Sequence, residues 1–288
     1  MSTLNQYAPG TARRWGWLWR MTIWTLMGFF LLNVVFMILT VVVDSVATRW
    51  FATLLPEGFT LHWYAQAWNE FQLSHILLVT LEVVASVVIL SILLGVPAAY
   101  ALARAKFPGK RLVLLLILIP MLVPSVTYGI PMATAFYKAG VGGTLLGVIL
   151  ANLVPALPFV ILVMTPFIEQ IDPSLESAAR IFGARTFQYF RFVLMPLLVP
   201  GMLAAGLLVL VRTIGLFELT FFTAGPDSQT LVVALYYAVF SSGVRAPQAI
   251  DAMAMMYMAI TLVWVLIALR FVSPTQLVSR VKEAPREA

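Results

Sequence analysis

Residues 171–191 read IDPSLESAARIFGARTFQYFR, a polar interlude between long apolar runs, and their pattern is that of a short amphipathic helix. Asp172 can accept backbone N–H bonds ahead of the helix, and Pro173 suits its first position. Glu176 brings a negative charge to the first turn, where the helix dipole favours it. Leu175, Ala178, Ala179 and Phe182 follow the i, i+3, i+4, i+7 spacing of one apolar face, and Gly183 can supply the left-handed residue that ends the helix. A second helix can begin at Thr186. A helix of this kind either docks in a groove of another protein, its alanines allowing close approach, or lies on the membrane surface as a connector.

Outward from this stretch, the chain is made for lipid. Of its 288 residues 61% are hydrophobic and 10% charged, with a mean hydropathy of +0.96, whereas a soluble domain is about a quarter charged. Six runs are near the roughly 20 residues needed to cross the hydrocarbon core: 21–43, 76–103, 112–136, 144–167, 193–216 and 252–272. The first is too long for a signal-peptide core and is read as a retained helix. The expected organisation is an all-α polytopic membrane protein. It has a tail at 1–20, a first span at 21–43, an external loop at 44–75, and a five-helix core at 76–272 holding the connecting loop 169–192, then a tail at 273–288.

Basic residues orient these spans. Arg13, Arg14 and Arg20, then Arg104, Lys106, Lys110 and Arg111, then Arg180, Arg185 and Arg191, then Arg270, Arg280, Lys282 and Arg286 all fall in alternate loops. The opposite loops hold only Arg49, Lys138 and Arg245. The cytoplasmic side carries the excess, so both termini are expected there. The net charge of +6 is then a matter of topology and not of nucleic-acid binding. The lack of cysteine excludes thiolate metal sites and two histidines argue against a histidine cluster, and no nucleophile or paired carboxylates at one depth indicate an enzyme.

The 171–191 stretch resembles the cytoplasmic loop of permease subunits of binding-protein-dependent ABC importers with the MetI-like fold. The family signature is a Glu-Ala-Ala loop, a glycine shortly after it, and a Leu-Pro some thirteen residues beyond that. Here Ala178, Ala179, Gly183 and Ala184 are followed by Met195-Pro196. Ser177 stands at the usual glutamate position, with Glu176 one residue earlier, and Met195 replaces leucine. The likeness continues through GVPAAYALARAKFPGKR (95–111), IPMLVPSVTYGIP (119–131) and LPFVILVM (157–164). Within the family, GFTLHWYAQAW (58–68) and FELTFFTAGPDSQTLVVALYYAVF (217–240) look most like the spermidine/putrescine type. By resemblance that class also includes opine, phosphonate and some iron transporters, and the alternative is the same machinery for a sugar, polyol, opine or phosphonate.

The resemblance implies that Leu175 to Gly183, with Ala184 and Pro196, couple the permease to an ABC ATPase dimer in a bacterial inner membrane. No G-x-x-x-x-G-K-[ST] occurs, so no cofactor is expected in this chain, and ATP and Mg2+ belong to that partner. Six spans make half a path, which implies a second permease, either an identical copy or a related subunit and in the polyamine-like class usually a distinct one, and an extracytoplasmic substrate-binding protein. Trp63, Tyr64 and Trp68 in the first external loop either meet that protein or form an interfacial aromatic belt. A secondary transporter remains the rival class, although no internal repeat marks one.

Arg212, placed near the middle of the fifth expected span, is the first pathway candidate, because an intramembrane charge costs at least about 2.5–3.5 kcal/mol. It either lines the path or gates it, forms an ion pair with Glu82 or Glu218, or meets the second permease. Tyr128 in the third span joins these as a pathway candidate. Acidic groups would suit a cationic solute and Arg212 an anionic one.

Overall fold

The computed structural model describes residues 11–51, 53–240 and 246–271. The expected tail 273–288, the first half of the tail 1–20, and Arg245 lie outside them. The chain divides into two compact units, one of residues 1–66 with 245–255 and one of 67–244 with 256–288. Among the described residues the structure is helical, with a single isolated bridge between Ala47 and Phe59.

The first unit is dominated by α1, Thr11–Val46, whose apolar side chains, among them Trp24, Phe29 and Phe36, are exposed. After α1 the chain doubles back: the Thr48 N–H donates to the Gly58 carbonyl at 2.9 Å and the Thr60 N–H to that of Val46 at 2.7 Å. The Trp63 indole N–H donates to the Ala47 carbonyl at 2.7 Å, and the Tyr64 hydroxyl lies 2.9 Å from that of Ser45. The polar ends of both aromatics are therefore used in holding this turn. They belong to α2, His62–Glu70.

The core of the second unit lies among α3 (Leu73–Arg104), α6 (Leu145–Glu169) and α9 (Met195–Ile214). Val83, Val87, Val148, Val160, Met164 and Leu198 are buried there. Lipid tails are as apolar as these side chains, so close packing has to hold the helices together. Gly95 shows how close: a Cβ at this position would sit 2.7 Å from Cγ1 of Val160.

Among the described residues, five helical segments are long and apolar enough to cross a membrane: 19–46, 73–104, 145–169, 186–214 and 247–267. The last falls in α12, Pro247–Phe271. The third expected span is not the single helix that the run 112–136 predicted. It is two helices, α4 (Lys110–Leu122) and α5 (Ser125–Lys138), bent by 94° at the break between them. Pro124 is the cause: a residue before proline is pushed out of the helical region, and Val123 is extended, at φ −88° and ψ 135°. The pair makes a sixth span if it counts as one broken crossing. Two short helices, α7 (Ser174–Ile181) and α8 (Thr186–Tyr189), lie between α6 and α9. α10 (Glu218–Thr223) and α11 (Leu231–Phe240) follow α9.

Candidate functional site

The 169–192 connection is built as its residues dictate. The Asp172 carboxylate accepts the Ser174 N–H at 2.8 Å. That backbone bond, with a further one from the Ser174 side chain, holds the Asp172 carboxyl below its usual range. At the other end the Gly183 N–H donates to the Arg180 carbonyl and the Ala184 N–H to that of Ala179, each at 3.0 Å. Together these are the two bonds of a Schellman ending, with Gly183 at φ +81°.

The apolar stripe does not form one buried face. Ala179 packs against the core and Leu175 is partly covered, whereas Phe182 is 90% exposed and Ile181 83%. Ser177 and Ala178 are also exposed. Glu176 turns inward on the same helix, where it accepts from Arg180 at 2.7 Å and, more loosely, from the Tyr100 hydroxyl at 3.4 Å. Arg104, the last residue of α3, donates to the Ile171 carbonyl at 2.5 Å. α7 is thus tied to the end of α3 from one side and presents large apolar side chains on the other.

Past α8 the backbone widens into one π-helical turn, Phe190–Leu194, in which the Met195 N–H bonds to the Phe190 carbonyl. Pro196 follows directly, and lacking an N–H it cannot complete the ordinary ladder. Segment 186–214 still runs as a single span.

Arg212 is in the last turn of α9, not near the middle of its span. Cations are favoured there by the helix dipole. Its guanidinium carbon lies 5.7 Å from the centre of the Phe159 ring, and it pairs with neither Glu82 nor Glu218. Glu82 is exposed on α3 and Glu218 half-buried at the start of α10. The Tyr128 hydroxyl on α5 is buried without a hydrogen-bond partner among the described residues. These three do not share the recess that Arg212 lines with Asn152, Pro155, Thr213 and Leu216. Asn152, which the sequence reading did not single out, is 1% exposed. Its signal was that of a lone amide in the apolar run of α6. The amide donates to the Val148 carbonyl at 2.9 Å and the Thr220 hydroxyl at 3.0 Å, and Oδ1 has no partner.

Among known proteins, a diacetylchitobiose uptake system permease of Streptomyces coelicolor is 32% identical over 53% of this chain and 51% of its own length. A sulfate transport system permease of Salmonella typhimurium is 32% identical over 46% and 52%. The chain spans about half the length of these curated relatives. The fold is similar to that in the crystal structure of a bacterial ABC transporter that imports alginate, with a TM-score of 0.70 at 20% identity, covering 97% of this chain and 100% of that one. The family described as binding-protein-dependent transport system inner membrane component matches residues 91–283, more than half of the sequence. The chain belongs to that family.

Proposed function

We propose that this chain is the permease subunit of an ATP-driven importer, and that α7 docks on a separate ATPase. One observation carries the reading: a short helix outside the spans is held to α3 by Tyr100, and its lead-in by Arg104, while it exposes Ile181 and Phe182 ahead of a left-handed glycine. An apolar helix face of this kind suits insertion in a groove, and a rigid tie to α3 passes the groove's movement to the spans. The ATPase pair binds ATP with Mg2+ and supplies the energy of its hydrolysis. A second, distinct permease completes the path, a binding protein delivers the solute, and both termini face the cytoplasm of a bacterium.

The solute is a small polar molecule. Segments 58–68 and 217–240 support the polyamine type, whereas the names of the relatives support a saccharide or an oxyanion.

The test is purification of the chain in mild detergent, with identification of its companions by mass spectrometry. An ATPase and a second permease are expected. Recovery of the chain alone, still transporting in ATP-free liposomes, would mean a secondary carrier and overturn the proposal. Competition of uptake by spermidine, trehalose or sulfate then separates the solute classes.

A further inference from the structure

Arg212, half-buried two residues before the end of a membrane-spanning segment, has no carboxylate beside it among the described residues. Its aromatic neighbour Phe159 offsets only part of what a charge loses on leaving water. Asn152, across the same recess, commits both amide hydrogens to protein acceptors and leaves Oδ1 bare. A buried acceptor without a donor leaves its desolvation uncompensated, so the two groups are unfinished in opposite senses: one has charge to neutralise, the other a lone pair to fill.

We propose that Arg212 and Asn152 form a solute subsite for an anionic group that carries a neighbouring hydroxyl or N–H donor. The anion meets the guanidinium and the donor meets Oδ1, which satisfies both at once. An acidic sugar or hydroxy acid has this pairing of groups, and a polyamine does not. Asn152 lies seven residues into α6, about 10 Å along the helix from the end farther from α7. The subsite is therefore met before the α7 end by a solute entering from that side. The recess has no room for a solute in this conformation, so occupancy requires its walls to part. The inference rests on the permease reading and makes that path selective for charge.

Because the chain has no cysteine, one introduced thiol reports on the recess. Leu216→Cys lines it, and Ala139→Cys, exposed in the α5–α6 connection, is the control. Each is labelled in the purified assembly, with and without a non-hydrolysable ATP analogue. The reagents are the anionic sulfonatoethyl and the cationic trimethylammonioethyl methanethiosulfonates. We expect the anionic reagent to be preferred at position 216 relative to position 139 in at least one nucleotide state. Arg212→Gln should cut that preference about tenfold, and Asn152→Leu should leave it intact while weakening the protection that glucuronate gives to the thiol introduced by Leu216→Cys. Equal reactivity toward both reagents, no reactivity in either state, or a preference untouched by Arg212→Gln would overturn the proposal and leave Arg212 a helix-end cation. Companion proteins found by mass spectrometry test the permease reading separately, so failure of one is distinguishable from failure of the other.

Discussion

At the scale of single residues, Gly183 is the most exacting position. A β-branched side chain at φ +81° carries strain of about 1–3 kcal/mol, a large amount for a helix of eight residues. No neighbouring atom stands within 4 Å of the place its Cβ would take, so the cost is one of backbone and not of crowding. Gly183→Val is expected to insert in the membrane at normal levels and to lose uptake, measured with radiolabelled solute. Wild-type uptake in this variant would remove α7 from the coupling route. Asp172 gives a pH dependence with a definite sign. Its carboxyl is held below the ordinary range by Ser174, so its support of the α7 start is complete above about pH 4. That support is lost only as the pH falls through the lowered folded value. Asp172→Asn should therefore lose the acid-dependent part of α7 protection from proteolysis, with little further change between pH 6 and 8. Such residues were legible because caps and endings are local. Asn152 was not, because an amide inside an apolar run declares a partner without saying which.

At the scale of elements, the sequence told where α7 begins and ends but not which way it faces. The stripe Leu175, Ala178, Ala179 and Phe182 satisfies helical spacing, yet the tie through Arg104 and Tyr100 rotates Glu176 inward and leaves Phe182 out. Contacts between residues about seventy positions apart do not appear in a local pattern. Arg104→Gln removes a charged donor from a backbone carbonyl, a bond worth about 1.5–3 kcal/mol. It should raise tryptic cleavage at Arg180 and Arg185 and lower uptake severalfold at unchanged membrane levels. Tyr100→Phe, whose contact is 3.4 Å long, should do less. The third span failed as a single helix for a similar reason. Proline marks where a helix is interrupted, but the 94° between α4 and α5 is set by what each half packs against. Pro97, Pro155 and Pro158 lie inside α3 and α6 without breaking either.

At the scale of the whole molecule, fold class followed from the length of the apolar runs and the scarcity of charge, both of which survive averaging over many residues. The pathway did not, since Asn152 on α6 and Arg212 on α9 line one recess though they stand far apart in the sequence. One consequence follows from the π-helical turn at Phe190–Leu194. It holds about one residue more than an α-helical turn, and one residue amounts to about 100° of rotation. The turn therefore fixes the phase between α8 and every side chain of α9, down to Arg212. It acts as a keyway between two shafts: a rotation of α8 would reach the far end of the span at an angle that this single extra residue determines.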